Sequence, residues 1–292
     1  MLYRYCFNEG EGMMKKRVSI VLCLVLALAL AFSACGGNKS SGGGSAVNSP
    51  DDFAGHNIAV QVDTTAADSI DEMLEAGATD IEVSRYEKVT QCFDDLALGR
   101  VDAVYVDSVV AGYYTTGSDK YRRSWINDEG EPLGICLAKT STALGAAVEA
   151  AIDTMFFDGS MAQIAIKHFG EDYTAGLRNV TEAPAIPSGF TTINEGVFMV
   201  GSEIGYPPME YKDENGIDNI GFDIDVANRL GEILGLDVQF VDTAWDGIFF
   251  ALEKGEYDAI VSSVSITEPR QQKYLLTEPY VSNALCIVVK AD

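Results

Sequence analysis

The stretch G-F-D-I-D-V-A-N-R-L-G-E-I-L-G at residues 221–235 has the pattern of an amphipathic helix that opens a domain. Its apolar residues recur at helical spacing, so they share one face of the helix. Asp223 is placed to cap the helix start, Asp225 adds negative charge near the positive end of the helix dipole, and Gly235 can end the helix in a left-handed conformation. An opening helix so late in a chain of 292 residues indicates an unusual order of segments.

Short apolar strands and helices alternate on both sides of this stretch. Strands are predicted at 57–62, 81–85, 101–107, 133–139, 196–201, 237–241, 257–262 and 285–290. Helices are predicted at 66–76, 89–98, 143–157, 161–169 and 245–254. This alternation predicts an α/β fold with mainly parallel sheets flanked by helices. Ligands bind at the carboxyl ends of such strands, which directs attention to Thr64, Thr65 and Asp107.

Residues 171–192 interrupt the alternation. They contain two prolines, two glycines and no periodic apolar pattern, which predicts a linker. Beyond the linker, Asn215 and Gly216 predict a hairpin turn, and Thr267 followed by Pro269 predicts a capped helix start.

The amino terminus has the pattern of a secretory signal. Basic residues at 15–17 precede an apolar run at 18–32, and small residues follow up to Cys35. The run is shorter than the roughly 20 residues of a membrane-spanning helix. F-S-A-C followed by G-G resembles the bacterial lipoprotein processing box, and the resemblance implies cleavage before Cys35 and attachment of lipid, palmitate included, at that residue. An ordinary signal peptide with an incidental cysteine is the alternative.

Two further expectations concern this region. The signal peptide occupies residues 1–34, with the true start at Met13 or Met14, and residues 35–52 form a flexible Gly/Ser tether.

The formal net charge of −24 argues against nucleic acid or anionic lipid as the main partner, because both would be repelled. The same charge fits a cationic ligand, or a surface that is acidic only for solubility.

The cysteines and histidines do not predict a metal site. After removal of the signal and lipidation at Cys35, three cysteines remain, namely Cys92, Cys136 and Cys286. They are far apart in the sequence and lack metal-ligand spacing. Cys136 and Cys286 lie in apolar strand patterns, where they could pair or remain buried free thiols.

Five ordered motifs carry a resemblance to a known family. They are G-Y-P-P-M-E-Y, G-F-D-I-D-V-A, W-D-G-I, Y-D-A-I-V-S-S-V-S-I-T-E-P-R and P-Y-V-S-N-A, all within residues 205–284. Together they resemble extracellular solute-binding protein family 3, the polar amino-acid receptors of ATP-binding-cassette (ABC) importers. F-A-G-H-N-I-A-V-Q-V-D-T-T and D-G-S-M-A-Q-I-A-I-K-H-F-G in the first half resemble the rest of that family. The resemblance implies a two-lobed α/β fold, the periplasmic-binding-protein type II fold, with ligand held between the lobes.

The order of the segments differs from that of the family. We interpret it as a circular permutation in which 53–130 forms lobe two and 131–292 forms lobe one, with 171–192 joining the family's usual ends. This interpretation puts the new termini at a hinge, leaves a single covalent crossing and predicts a looser hinge than in an unpermuted relative. A truncated fusion of two receptors would give the same order, and either one chain closes on itself or two chains exchange halves.

The resemblance also implies the residues that hold an amino acid. Arg270 would bind the carboxylate, helped by donors near Ser265 and Thr65. Asp107 would bind the ammonium together with Ser263.

Three further positions would contact the ligand side chain. Tyr206 and Trp245 would form apolar walls, and Glu203 would meet a cationic side chain or else lie at the rim. Asp63 departs from the family, which usually has glycine there, and its side chain could crowd the carboxylate or attract cations.

The resemblance therefore implies a lipid-anchored receptor on the outer face of a bacterial cell membrane, extracellular or periplasmic. It would be a monomer without cofactor, metal or catalytic residues. It would capture a polar amino acid, with Arg- or Lys-like ligands as first candidates, and deliver it to a membrane permease. A dehydratase or lytic wall enzyme using Glu203 as its acid is one alternative, and a non-binding rearranged remnant or sensor is another.

Overall fold

A computed structural model describes residues 47–291 of the chain. The expected signal peptide at 1–34, the lipid-carrying Cys35 and most of the tether lie outside the described residues. Within 47–291, no helix is long and apolar enough to cross a membrane.

Strands and helices alternate along the described chain. The helices are α1 (Thr65–Glu75), α2 (Val89–Leu98), α3 (Ser108–Thr115), α4 (Thr142–Asp158), α5 (Ser160–Phe169), α6 (Phe222–Leu234), α7 (Trp245–Lys254) and α8 (Glu268–Lys273). The first six strands are β1 (Asn57–Gln61), β2 (Glu82–Tyr86), β3 (Ala103–Asp107), β4 (Tyr121–Ile126), β5 (Leu133–Leu137) and β6 (Val197–Ser202). The others are β7 (Tyr211–Lys212), β8 (Asn219–Ile220), β9 (Asp237–Asp242), β10 (Ala259–Ser265), β11 (Leu275–Leu276) and β12 (Leu285–Lys290). The predicted α/β class, with two sheets flanked by helices, is confirmed. The expectation of mainly parallel sheets is not met, because each five-stranded sheet has two parallel and two antiparallel pairings.

Each lobe is built on one five-stranded sheet. In lobe two the strand order is β2-β1-β3-β12-β4, and β1 pairs parallel with both β2 and β3. In lobe one the order is β11-β5-β10-β6-β9, and β6 pairs parallel with β9 and β10. Every residue of β3, β5 and β10 is buried, as expected for strands covered on both faces.

Strand β12 differs from the expected lobe boundary. It lies in the lobe-two sheet, antiparallel to β3 and β4, so residues 285–290 do not belong to the predicted lobe one at 131–292. The physical reason is burial, because every residue of β12 except Lys290 is buried and needs a neighbour on both sides. Within residues 47–291 the chain therefore crosses between the lobes twice, at 127–132 and at 277–284. The expected single crossing is wrong, and the predicted looser hinge loses its basis.

The two crossing segments are hydrogen-bonded to each other. The amide of Glu131 donates to the carbonyl of Asn283 at 2.6 Å. The amide of Leu133 donates to the carbonyl of Val281 at 3.2 Å, and the amide of Tyr280 donates to the carbonyl of Leu133 at 3.1 Å. The hinge is thus a pair of antiparallel segments.

The helix quoted first spans Phe222–Leu234 and ends, as predicted, at Gly235 with φ 69°. Its start differs from the prediction, because Gly221 is the capping residue and no side chain caps the helix. Asp223 is instead fully buried, and its carboxylate accepts hydrogen bonds from the Ser263 amide at 2.8 Å and the Tyr280 hydroxyl at 2.7 Å. Asp223 therefore connects the helix to Ser263 and Tyr280 and does not cap the helix start.

The segment 171–192 contains no helix or strand, in agreement with the linker prediction. Arg178 anchors it. The guanidinium of Arg178 donates to Glu149 at 2.5 Å and to Asp153 at 2.7 Å, both on α4, and to the carbonyl of Pro279 at 2.9 Å. The linker is therefore attached to the second crossing segment as well as to a helix of lobe one.

Cys92, Cys136 and Cys286 are buried free thiols. Cys136 lies in β5 and Cys286 in β12, so they belong to different sheets, and the pairing left open above does not occur. Burial raises the pKa of each of these thiols to about 12.

Candidate functional site

One cleft between the two lobes brings together all eight residues that the sequence assigned to ligand contact. Its cavity volume is about 30 Å³. Lobe two contributes two of the eight residues and lobe one contributes the others. They are Thr65, Asp107, Glu203, Tyr206, Trp245, Ser263, Ser265 and Arg270.

The topology explains this convergence. Asp107 ends β3, and Thr65 begins α1 shortly after β1, so both lie at the carboxyl edge of the lobe-two sheet. Ser265 ends β10, and Glu203 directly follows β6, so both lie at the carboxyl edge of the lobe-one sheet. Because the two edges face each other across the hinge, side chains from distant parts of the chain meet in one cleft.

Arg270 is held by its helix and by aromatic rings. The predicted cap is confirmed, since the Thr267 hydroxyl accepts from the Arg270 amide at 3.4 Å. The guanidinium lies 5.6 Å from the ring centroid of Trp245 and 5.2 Å from that of Phe249, and it donates to the Ser265 carbonyl at 3.1 Å. Burial lowers the pKa of Arg270, and the charge of Glu131 opposes that shift. Stacking on two rings fixes the plane of a group suited to bind a carboxylate.

Asp107 is buried and accepts hydrogen bonds from lobe one and from the second crossing segment. Its carboxylate accepts from the Tyr206 hydroxyl at 2.7 Å and from the Asn283 amide at 2.5 Å. Burial raises the pKa of Asp107 to about 7, the charge of Glu131 adds to the rise, and the two hydrogen bonds oppose it. Tyr206, expected as an apolar wall, is therefore also a polar link between the lobes.

Glu203 is also buried, with 3% of its surface exposed, so it does not lie at the rim. The side-chain amide of Gln61, from lobe two, donates to its two carboxylate oxygens at 2.9 and 2.8 Å. Burial raises the pKa of Glu203 to about 7, while Gln61 and the charge of Lys88 act in the opposite direction.

Trp245 links the lobes through its indole. Its Nε1 donates to the Asp63 carbonyl at 2.9 Å. Asp63 has φ 56°, in the left-handed region where glycine is most at ease and where Asp is tolerated better than most residues. This backbone conformation gives a physical reason for the glycine that the family usually has at the position. Asp63 is itself exposed.

Glu131 is a site residue that the sequence did not reveal. Its Oε1 accepts from the Thr65 hydroxyl at 2.8 Å and from the Ser265 hydroxyl at 2.6 Å. It lies in the first crossing segment, outside the motifs quoted above, and no local pattern marks it.

Glu210 and Ser262 were also missed, although Glu210 lies within the motif G-Y-P-P-M-E-Y, which predicted only part of a hairpin. The Ser262 hydroxyl donates to Glu210 Oε1 at 2.6 Å and accepts from the Glu203 amide at 3.0 Å. Burial, reinforced by the charge of Asp223, raises the pKa of Glu210 well above its ordinary value. Nearby, the buried hydroxyl of Ser263 has no hydrogen-bond partner within the described part of the chain.

The cleft is lined by the guanidinium of Arg270 and by several buried carboxyl groups. Hydrogen bonds run directly between the lobes from Gln61, Tyr206 and Trp245, so the lobes are closed on each other. Such a cleft can bind a small molecule that carries an anionic group at one end and cationic groups at the other.

Comparison with known proteins identifies relatives of part of the chain. Residues 198–292 match the family model described as bacterial extracellular solute-binding proteins, family 3. The chain is 34% identical over 94 residues to an arginine-binding periplasmic protein of Mannheimia haemolytica, covering 32% of this chain and 39% of that protein. It is 33% identical over 98 residues to the L-cystine-binding protein TcyA of Bacillus subtilis, covering 34% of this chain and 36% of that protein.

Among solved structures, the arginine-bound form of domain 1 from TmArgBP is 31% identical. The alignment covers 32% of this chain and 80% of that one, with a TM-score of 0.29. The chain spans less than two-fifths of the length of the two binding proteins named above. The matched residues 198–292 include all five motifs and six of the eight expected site residues, and this part of the chain is similar to the bacterial extracellular solute-binding proteins, family 3.

Proposed function

We propose that this protein is an extracellular receptor of an ABC importer, held at the membrane by lipid on Cys35. It captures a polar amino acid between its two lobes and delivers it to a membrane permease. Basic amino acids are the first candidates for the ligand. The family of residues 198–292 and the cleft between the lobes support this proposal.

The observation that carries the proposal is the separation of charge in the cleft. An α-amino acid presents a carboxylate and an ammonium at a fixed distance, so its site needs a cationic donor and an anionic acceptor. Arg270 and the hydroxyls of Thr65 and Ser265 would hold the carboxylate. Asp107 and the unpartnered hydroxyl of Ser263 would hold the ammonium.

The acidic residues favour a cationic ligand side chain. Glu203 and Glu210 line the cleft and are buried, and the whole chain has a formal net charge of −24. A cation near these carboxyl groups would favour their ionised form and offset their desolvation.

Ligand binding and transport would be coupled through closure. A ligand that contacts both lobes only in the closed form shifts the population toward that form. The permease would then recognise the closed receptor, and no bond in the ligand needs to break.

The test is a binding panel. The folded chain lacking its signal peptide is screened against the twenty amino acids by thermal shift, and hits are titrated by calorimetry. We expect one or a few basic amino acids to raise the midpoint by several degrees, because a ligand that binds only the folded state stabilises it. Arg270→Ala should abolish this shift, whereas Lys254→Ala, which removes an exposed cation on α7, should retain it. A flat panel with the wild type would contradict the receptor and favour the non-binding remnant.

One observation favours the enzyme alternative. Burial raises the pKa of Glu203 to about 7, and a general acid must keep its proton near neutral pH. Turnover of a cyclohexadienyl substrate that is lost in Glu203→Gln would support a dehydratase. Saturable amino-acid binding without turnover would exclude it.

A further inference from the structure

Glu131 contacts both lobes from the hinge. Its Oε1 accepts one hydrogen bond from Thr65 of lobe two at 2.8 Å and one from Ser265 of lobe one at 2.6 Å. Its backbone is held by the second crossing segment, where its amide donates to Asn283 at 2.6 Å. A single carboxylate oxygen thus bridges the lobes at the point where they join.

The partners of this oxygen are the groups assigned above to the carboxylate of the ligand. Thr65 and Ser265 provide the two hydroxyls, and Arg270 donates to the carbonyl of the same Ser265. The negative charge of Glu131 also acts on the guanidinium, where it raises a pKa that burial lowers. The three groups therefore already face a carboxylate that belongs to the chain.

Two carboxylates cannot use these donors at once. A hydroxyl has only one proton to donate, so a bond to the ligand requires loss of the bond to Glu131. Two like charges in contact also repel each other strongly in a cleft of low polarity. Glu131 is only half-buried, so its side chain has access to solvent when it leaves the two hydroxyls.

We propose that Glu131 is an internal competitor of the ligand's α-carboxylate, bridging Thr65 and Ser265 in its place and leaving when an amino acid binds. This inference rests on the proposed receptor function. The competition lowers the affinity for amino acids and leaves the affinity for amines that lack a carboxylate unchanged.

The experiment compares each basic amino acid with its decarboxylated amine. Calorimetric titrations use arginine and agmatine, lysine and cadaverine, and histidine and histamine, with the wild type, Glu131→Ala and Glu131→Gln. Glu129→Gln, two residues away in the same segment and exposed, is the charge-matched control. Circular dichroism confirms that each variant is folded.

We expect Glu131→Ala to bind the amino acid of the responding pair about tenfold more tightly, as loss of competing hydrogen bonds to a charged group implies. Glu131→Gln should tighten binding by less, because its neutral carbonyl still accepts from the hydroxyls. Affinity for the amine should change less than twofold in both variants, and Glu129→Gln should resemble the wild type.

The outcomes separate this inference from the receptor function. The wild type is first shown to bind an amino acid. The inference alone is then overturned if Glu131→Ala leaves this affinity unchanged, weakens it, or raises it by the same factor as the affinity for the amine. Binding detectable only in Glu131→Ala would support it. Absence of binding in every variant would overturn both the inference and the receptor.

Discussion

At the scale of single residues, burial sets the protonation of the cleft. Burial raises the pKa of Asp107 and Glu203 to about 7 and that of Asp223 to about 6. The same groups titrate near pH 4 in an unfolded chain. The folded state therefore binds more protons than the unfolded state between about pH 4 and 7. Their contribution to the free energy of unfolding is fully present below that window and is lost as the pH rises through it.

Glu203→Gln should remove part of this pH dependence. At pH 8 the variant should be more stable than the wild type by about 2 kcal/mol, because it no longer buries an ionised carboxylate. At pH 5, where the folded wild type keeps the proton, the two should differ little. Urea denaturation at both values checks the prediction, with Glu129→Gln as a surface control. An equal loss of stability from pH 5 to pH 8 in wild type and variant would contradict it.

The site could be predicted only where a motif carries it. The eight residues that the family resemblance implied line one cleft. Glu131 and Gln61 could not be predicted, because Glu131 lies in a crossing segment without a recognisable pattern and Gln61 meets Glu203 of the other lobe. Gln61 is separated from Glu203 by 142 positions, and no local pattern encodes such a contact.

At the scale of elements, local chemistry sets most boundaries. The predicted helices at 89–98 and 245–254 have the observed bounds, because Gly99 and Gly255 end them in the left-handed conformation. Strand β4 was not predicted, because its sequence Y-R-R-S-W-I is mixed and it lies at the edge of its sheet. The lobe to which β12 belongs depends on its partners, which its own residues do not specify.

The start of α6 should depend strongly on Gly221. This residue has φ 134°, and a Cβ there would lie 2.2 Å from the Met209 carbonyl oxygen. Gly221→Ala should lower the free energy of unfolding by about 3 kcal/mol or more, through strain and displaced backbone. Gly235→Ala, at the other end of the helix, meets nothing within 4 Å and should cost only about 1 kcal/mol, from its φ of 69°. Similar urea midpoints for the two variants would contradict this explanation.

The linker should contribute to stability through Arg178. Arg178→Met keeps most of the apolar stem but leaves Glu149, Asp153 and the Pro279 carbonyl without this donor. We expect a loss of about 1–2 kcal/mol, because the buried guanidinium is lost to three acceptors, while the two carboxylates, about a third exposed, keep access to water. Arg229→Met, whose ion pairs with Asp158 and Glu232 are more exposed, should cost less than about 1 kcal/mol. Equal losses measured by urea denaturation would count against a role for the linker as an anchor.

At the scale of the whole molecule, the order of segments can be tested by reversing it. A chain in which 193–292 precedes 47–170 restores the order usual in the family. If the natural order is a permutation of one receptor, this chain should form the same two sheets and bind the same ligand. Calorimetry and size-exclusion chromatography check binding and distinguish a monomer from a half-swapped dimer. A reordered chain that is folded but does not bind would contradict the permutation.

The position of β12 has a consequence for how the protein folds. Strands β1 to β4 occur early in the sequence. In the sheet, however, β12 lies between β3 and β4, and it occurs more than 150 residues later in the chain. Before β12 pairs with β3, the N–H and C=O groups along that edge of β3 are unpaired and can bind other strands. Lobe one can complete its own sheet first, so we expect lobe two to be the slow step in folding, since distant pairings cost more chain entropy. The chain would be most exposed to aggregation during that interval.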